Sequence, residues 1–344
     1  MTRNRQKGGA LLMVLWVAAA LAAIALSVAS SVRSETSRVS GAADGLRAWY
    51  LASGSVERGI QWMLWGPDFA PKFWQPNKPR LYFSYPSGDV VVEMIPETAK
   101  LNINTANPDD LLRLVTAVGG NTVQASEIVQ AIQDWRGGSG GSGFDQFYAS
   151  VGASMGAPTF HARHASFQEI EELLLVRGMT PELFYGNYIA DNQGRLYASG
   201  GLRDCLSIWG TAGPFDANTM SPALMQAVGV PAAGAAAIVA HRQIAPFANM
   251  GEVGDLGFPT PRLTIGGGHA IWTLRATARL RRPDGSPSEI VRTASATVKT
   301  FDPRRNPYYE MMPVRVLRWY DDAWSQDAVA PPGILQPLQG VPQP

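Results

Sequence analysis

The spacing of apolar residues predicts one long helix at the start of the chain. Residues 10–32 carry no charge and are almost wholly apolar. At about 1.5 Å per residue, a helix of this length crosses a bilayer core of about 30 Å. The pattern continues without proline through residues 34–63, where one largely apolar stripe recurs at spacings of three and four: Leu46, Trp49, Tyr50, Ser53, Val56, Ile60 and Met63. We therefore expect a single helix, half in lipid and half packed on a soluble domain.

Alternating apolar positions and turn residues predict strands on both sides of a helical block. The predicted strands are 80–85, 89–95, 271–280, 289–299 and 314–320. Between them, residues 97–258 change to short helical patterns. The expected fold class is α+β, with a long N-terminal transmembrane helix packed on an antiparallel sheet and a mostly α-helical domain inserted.

The helical block contains start signals and an internal repeat. Three predicted helix starts place a capping residue before a proline: Asn107, Thr180 and Ser221. Residues 166–169, Ser-Phe-Gln-Glu, form a predicted capping box. The motif at 104–108 recurs at 218–222, and each copy precedes a helix, a glycine (Gly119 or Gly229) and a second helix. We expect two helix–hairpin–helix-like repeats whose helices bury their apolar sides against each other.

Composition and single residues exclude several kinds of chemistry. The net charge is +1, so no overall field draws the chain to nucleic acid. The lone Cys205 excludes an intrachain disulfide, and we expect it to be buried. His161 and His164 lie three apart, but no neighbour in sequence completes a metal site, so we expect an exposed polar pair. Because no nucleophile, base and orienting carboxylate can be nominated, we expect the protein not to be an enzyme.

Charge around the apolar run predicts its orientation. Arg3, Arg5 and Lys7 precede the run, and the positive-inside rule places them in the cytoplasm and the rest of the chain outside. The alternative is an ordinary signal peptide cleaved within residues 25–31. The apolar run exceeds the length of about 7–15 residues that is usual for such peptides, which favours the uncleaved helix.

This start resembles that of the type IV pilin superfamily, whose members carry a short basic leader ending in glycine before a long apolar helix. The resemblance implies that prepilin peptidase cuts after Gly8 or Gly9 and leaves Gly9 or Ala10 as the first residue, which would be methylated. It also implies a membrane and assembly helix that begins with the residues Leu11, Met13, Val14 and Leu15.

Most pilins have Glu at the fifth mature position, where it pairs with the N-terminal ammonium of a neighbouring subunit. Here that position is Met13 or Val14. A missing Glu is the usual pattern in the K-type minor pseudopilins of type II secretion systems (general secretion pathway protein K). Three internal segments also resemble that family: Asn-Ile-Asn-Thr-Ala at 102–106, Asp134-Trp135, and residues 167–180.

The resemblance implies a minor pseudopilin at the tip of the secretion pseudopilus, which helps to export folded proteins across the outer membrane. Its partners would be the I-, J- and H-type minor pseudopilins, prepilin peptidase and the inner-membrane assembly platform. It would be a single-pass inner-membrane protein with a cytoplasmic N-terminus and a periplasmic domain.

The predicted organisation combines the helix and strand patterns of the chain with this resemblance. It consists of a prepilin leader (1–9), the transmembrane half of the N-terminal helix (10–32), the first part of a pilin-like α/β domain (33–96), the inserted helical domain with its two repeats (97–265), the second part of the α/β domain (266–324) and a disordered tail (325–344).

Some members of the family bind calcium in the inserted domain through an acidic loop after the Asp-Trp pair. Calcium takes about six to eight oxygen ligands. Here Arg136 and a Gly/Ser run at 137–143 replace the acidic loop. Asp134 and Asp145 are therefore the candidate calcium ligands, and they are too few alone. No other cofactor is expected.

Two further functions fit parts of the sequence. The repeats resemble helix–hairpin–helix modules, and a membrane-anchored DNA-uptake protein has a similar N-terminus. Such a protein needs basic residues around the hairpin glycines, and Arg113 and Arg242 alone make a poor phosphate-binding patch. The other alternative is a secreted binding protein with an ordinary signal peptide.

Overall fold

The computed structural model of the chain describes residues 7–65, 79–137, 143–157, 160–190, 196–266, 270–301 and 312–325. The leader residues 1–6, most of the Gly/Ser run and the tail after residue 325 lie outside the described residues. The helices are α1 (Lys7–Leu64), α2 (Pro108–Val118), α3 (Thr122–Arg136), α4 (Asp145–Ser154), α5 (Pro181–Tyr185), α6 (Pro222–Ala227), α7 (Ala232–Ile244) and α8 (Met250–Gly254).

The described strands are β1 (Arg80–Tyr85), β2 (Gly88–Pro96), β3 (Leu101–Asn102), β4 (Gly186–Ala190), β5 (Leu196–Gly200), β6 (Leu206–Ser207), β7 (Phe215–Asp216), β8 (Leu263–Thr264), β9 (Ile271–Arg281), β10 (Pro287–Thr300) and β11 (Val314–Tyr320). The fold is α+β, as predicted. The helix α1 packs on an antiparallel sheet, and all the other described α-helices belong to a domain inserted between β2 and β9.

Within the described residues, five strands form the main sheet in the order β1-β2-β9-β10-β11. All five were predicted from the sequence, with ends within two residues. The chain leaves the sheet after β2 and returns at β9, so that Pro96 pairs with Trp272. Successive side chains of a strand point to opposite faces. Leu274 and Ala296 therefore pack under α1, whereas Thr277 and Thr293 are buried on the opposite face.

Small side chains form the face of α1 that packs on the sheet. Ala48, Ala52 and Val56 are fully buried there. Gly59 lies so close to the sheet that a Cβ added to it would come within 2.9 Å of the Leu274 side chain. Because small residues bring the helix backbone near the strands, this contact depends on close approach rather than on large apolar side chains.

The predicted apolar stripe of α1 is only partly correct. Ile60 is buried against the sheet, whereas Leu46 and Tyr50 are 54% and 62% exposed. Val56 of the stripe is also buried against the sheet, but nearer the start of the packed segment the small residues Ala48 and Ala52 are buried in place of Leu46 and Tyr50. Leu46 and Tyr50 are therefore left on the outer side of α1.

The inserted domain begins its helices where the capping signals predict. The side chains of Asn107, Thr180 and Ser221 each accept a hydrogen bond from a backbone N–H in the first turn of α2, α5 and α6. Each of these helices also has proline in its first turn, where the missing N–H costs nothing. The three predicted helix starts are confirmed.

The capping box predicted at 166–169 is wrong. Residues Ile170–Leu175 form a 3-10 helix, and its box consists of Glu169 and Glu172. The Glu172 carboxylate accepts a hydrogen bond from the backbone N–H of Glu169 at 3.1 Å. The backbone N–H groups of Gln168 and Glu169, which a Ser166 cap would bind, both donate to the Glu172 carboxylate instead.

Short strands that the sequence did not predict divide the inserted domain into two modules. β3 pairs in parallel with β6 and closes the first module, residues 101–207. β7 pairs in parallel with β8 and closes the second module, residues 215–264. The buried carboxylate of Asp110 joins the modules, because it accepts hydrogen bonds from Arg113 at 2.7 Å and from Arg262 at 2.6 Å.

Residues 321–325, which we call the C-terminal clasp, hold α1 and the sheet together. The Trp49 indole N–H donates to the carbonyl oxygen of Asp321 at 3.0 Å. The Thr277 hydroxyl of β9 bonds to the hydroxyl of Ser325 at 2.9 Å. Ser325 is buried. The described fold therefore extends one residue into the predicted tail.

The same clasp reaches the first module through Trp324. Its ring stacks on Tyr185 with centroids 4.4 Å apart, and its carbonyl oxygen accepts a hydrogen bond from Arg203 at 3.1 Å. Burial lowers the pKa of Arg203 to about 10, and the nearby Arg275 guanidinium adds to the effect. The clasp thus contacts the long helix, the sheet and the inserted domain within five residues.

Candidate functional site

More than half of the exposed large apolar side chains among the described residues lie in the N-terminal part of α1. Leu11, Met13, Val14 and Leu15 are each at least 63% exposed, and no atom lies within 4 Å of a Cβ built on Gly9. These are the residues predicted to begin the membrane and assembly helix. The helix is long and apolar enough to cross a membrane. It is compatible with a single-pass membrane anchor.

The free segment and the packed segment belong to one uninterrupted helix of 58 residues. Residues 9–43 are exposed along their whole length, and burial against the sheet begins at Gly45. Across the junction between the free and packed segments, the exposed side chains of Val39, Leu46 and Tyr50 continue an apolar path away from the sheet. Since successive members are separated by seven and four residues, they lie on one side of the helix.

The two modules of the inserted domain share one hydrogen-bonded arrangement. In the first module, the Asn104 side chain donates to the carbonyl oxygen of Phe167 at 3.0 Å and accepts from its N–H at 2.7 Å. Arg136 donates to the carbonyl oxygens of Ile103 and Ala106 at 2.7 and 2.8 Å. One asparagine and one arginine thereby fix the segment that precedes α2.

The second module repeats these contacts with different neighbours. Asn218 donates to the carbonyl oxygen of Phe247 at 3.1 Å and accepts from its N–H at 2.8 Å. Arg242 donates to the carbonyl oxygens of Ala217 and Met220 at 3.0 and 2.8 Å. The repeat seen in the sequence at 104–108 and 218–222 is therefore accompanied by a repeat of these tertiary hydrogen bonds.

The helical hairpins have the backbone geometry of the predicted repeats. Gly119 and Gly229 both adopt left-handed φ values, 119° and 103°, which favour glycine. The basic residues nearby are committed elsewhere. Arg113 bonds to Asp110 and to the carbonyl oxygen of Ala227, and Arg242 holds the segment before α6. These arginines are built into the modules, which disfavours a role in phosphate binding.

One cluster among the described residues has side chains of the kinds that bind metal ions. It lies in the first module and consists of Asp134, Asp145 and His164. One potential ligand atom from each lies within 4.8 Å of the others. Asp134 comes from the last turn of α3, and Asp145 is the first residue of α4. His164 follows in an irregular segment and has a positive φ of 47°, an uncommon value for a residue with a side chain.

Both nitrogens of the His164 ring face oxygen atoms. Nδ1 lies 3.1 Å from the carbonyl oxygen of Asp134, and Nε2 lies 3.0 Å from Oδ1 of Asp145. Burial of the ring opposes its protonation, but these hydrogen bonds and the two aspartate charges raise the pKa of His164 above its ordinary value. The prediction that His161 and His164 form an exposed polar pair is wrong for His164, because this loop brings its ring between two aspartates.

The donor set does not fit calcium. Asp134 and Asp145 do come together, as the candidate pair requires, but the third member of the cluster is an imidazole. Two carboxylates offer at most four oxygens, short of the six to eight that calcium takes. The Asp134 carbonyl oxygen already faces His164 Nδ1. The sequence between Asp134 and Asp145 contains no further Asp or Glu.

The buried thiol of Cys205 is a structural group. It lies 3.0 Å from the hydroxyl of Ser221, which caps α6. Burial raises the pKa of Cys205 to about 12, so its reactive thiolate form is suppressed at neutral pH. The expectation that this cysteine is buried is confirmed.

Comparison with models of known protein families gives no match, and no curated protein matches at a significant level. Among solved structures, the chain is similar to a chain in the crystal structure of the GspK-GspI-GspJ complex from the type 2 secretion system of enterotoxigenic Escherichia coli. The two chains share 14% sequence identity with a TM-score of 0.47, and the match covers 81% of this chain and 97% of that chain.

Proposed function

We propose that this protein is a K-type minor pseudopilin of a type II secretion system and that it acts at the tip of the pseudopilus. The observation that carries the proposal is the continuity of α1, which runs without a break from a free apolar segment of membrane length into the core of the folded head. A signal peptide needs a cleavage site between leader and domain, whereas residues 25–31 lie within this helix.

The resemblance of the N-terminus to prepilins supports processing by prepilin peptidase after Gly8 or Gly9. The apolar half of α1 would then anchor the chain in the inner membrane, with its basic start in the cytoplasm and the folded head in the periplasm. Partners of the I, J and H types would contact α1 along the exposed path through Val39, Leu46 and Tyr50. The assembly platform would contact the membrane half.

The missing Glu at the fifth mature position fits a place at the tip. In a filament shaft that carboxylate pairs with the N-terminal ammonium of a neighbour, and a charge left unpaired in lipid is costly. A subunit with Met13 or Val14 there loses nothing when no subunit lies above it. The inserted domain adds bulk that a tip accommodates and a shaft does not.

The processing step tests the class of protein. The full chain is co-expressed with and without prepilin peptidase, and the N-terminal mass is measured. Loss of eight or nine residues that depends on the peptidase, and that stops in a Gly8→Leu/Gly9→Leu variant, is the expected result. Cleavage within residues 25–31 by the ordinary signal peptidase would contradict the proposal and leave a secreted binding protein.

The tip assignment is tested by copurification with I-, J- and H-type minor pseudopilins. Leu46→Asp and Tyr50→Asp should each weaken copurification without changing the melting temperature of the head, because both side chains are exposed. Ser40→Asp is the matched control, since it adds the same charge at another exposed position of α1. Equal losses in all three variants would argue against the proposed contact path.

A further inference from the structure

We propose that Asp134, Asp145 and His164 form a zinc site in the first module. Calcium is the ion that the family resemblance implies, and the donor set in this chain does not fit it. The donor set differs from a calcium site in a way that indicates another metal, because it includes an imidazole nitrogen beside the carboxylate oxygens. Imidazole favours Zn²⁺ and other late transition metals over calcium.

The hydrogen bond to Nδ1 prepares the ring for metal binding. The carbonyl oxygen of Asp134 can only accept, so Nδ1 of His164 carries the hydrogen in this contact. The remaining nitrogen, Nε2, then presents its lone pair to Asp145. A histidine that binds metal through one nitrogen and donates the other N–H to a carbonyl or carboxylate is the common arrangement in metalloproteins.

The contact between Nε2 and Asp145 calls for a positive species between its two atoms. In neutral imidazole, Nε2 and the carboxylate oxygen 3.0 Å away are both electron-pair donors and repel each other. Either a proton on Nε2 or a bound metal cation removes this repulsion, and the binding experiment distinguishes the two. In tetrahedral zinc sites the ligand atoms lie about 3.3 Å from one another. In this structure one potential ligand atom from each of the three groups lies within 4.8 Å of the others.

One carboxylate oxygen of Asp134 is buried without a hydrogen bond. Oδ2 of Asp134 has no hydrogen-bond partner among the described residues. Leaving a carboxylate oxygen buried and unsatisfied is costly. A cation bound to this oxygen would satisfy it. Three protein ligands leave the fourth zinc position to water, as in sites that are not purely structural.

The test measures zinc and calcium binding by the full chain in detergent, by calorimetry and by melting temperature. We expect Zn²⁺ to bind and to raise the melting temperature, and Ca²⁺ at the same concentration to leave it unchanged. His164→Gln and Asp145→Asn should each weaken zinc binding at least tenfold. His161→Gln is the matched control, because it removes an exposed imidazole three residues away and should bind zinc like the original chain.

Three outcomes would overturn the zinc site. Zinc binding that survives His164→Gln and Asp145→Asn would place the ion elsewhere. A calcium-induced shift equal to that of zinc would restore the calcium site of the family. The absence of any shift would show that a proton alone bridges His164 and Asp145. Melting in EDTA establishes that each variant is folded, and none of these results depends on pseudopilus assembly.

Discussion

The side-chain amide of Asn104 forms two hydrogen bonds with the backbone of Phe167, one to its carbonyl oxygen and one from its N–H. The residues are 63 positions apart, so this single side chain ties the start of the first module to the segment that precedes its 3-10 helix. Asn218 makes the same pair of bonds to Phe247 in the second module.

Asn104→Ala should lower the free energy of unfolding by about 2–3 kcal/mol, because it leaves a donor and an acceptor of Phe167 unpaired in a half-buried place. Asn218→Ala should cost a similar amount although the two modules differ in sequence. Urea unfolding followed by circular dichroism measures both. Thr105→Ala, at an exposed neighbouring position, should stay within about 0.5 kcal/mol of the original chain. A cost below that limit for both asparagines would refute the shared arrangement.

Two glycines of α1 should respond to substitution in opposite directions. Gly54 is exposed and has open space around it, so Gly54→Ala should stabilise the fold by about 0.5–1 kcal/mol through helix propensity. Gly59 faces Leu274, so Gly59→Leu should destabilise it by about 1–3 kcal/mol through overpacking. The melting temperatures of the two variants, each compared with that of the original chain, test these opposite effects. A neutral Gly59→Leu would mean that α1 does not approach the sheet this closely.

The C-terminal clasp should contribute measurably to stability although it is short. A chain that ends after Ser325 should melt at the original temperature. A chain that ends after Asp321 loses the stacking of Trp324 on Tyr185 and the bond from Arg203, and it should lose about 2–4 kcal/mol. Trp324→Ala in the full chain separates the effect of the ring from that of chain length. Equal melting temperatures for the two truncations would show that the clasp adds no stability.

Acid should weaken the sheet through Glu93. Burial disfavours its ionised form, but the Arg275 guanidinium 2.7 Å away lowers the pKa of Glu93 below its ordinary value. A lowered pKa in the folded state adds stability above about pH 4.5, the unfolded value, and this gain is lost as the pH falls through the folded value. Glu93→Gln should cost roughly 2–4 kcal/mol at pH 7, because Arg275 stays buried.

The pH dependence of that difference checks the assignment. The gap in unfolding free energy between the original chain and Glu93→Gln should be constant above about pH 5 and should shrink below pH 4.5. Glu289→Gln, at an exposed position, should leave the original pH profile unchanged. A gap that does not change with pH would show that Glu93 is not ionised in the folded state.

The regular elements were predictable because their signals are local. The prolines after Asn107, Thr180 and Ser221 mark helix starts whatever the rest of the chain does, and alternation with turn residues marks the strands. Contacts between distant segments leave no such signal. The pairing of β3 with β6 involves two residues from each strand, too few to produce a pattern.

The candidate cation site shows the same limit. Asp134 and Asp145 could be selected from the resemblance, whereas His164 appeared only as half of a histidine pair. An irregular segment turns its ring back onto the end of α3, and irregular backbone has no periodicity from which a direction can be predicted. The positive φ of His164 is a consequence of tertiary contacts and cannot be inferred from its neighbours in sequence.

The pairing of Pro96 with Trp272 also bears on the order of folding. These partners are roughly 175 residues apart, and closing a flexible loop of that length costs about 4–5 kcal/mol of chain entropy. If the inserted domain collapses first, its own compact structure brings β2 and β9 near each other and most of that entropy has already been lost. We therefore expect the inserted domain to fold before the sheet on which α1 packs. Folding of the head would then begin in the middle of the chain, and the region next to the membrane anchor would fold last.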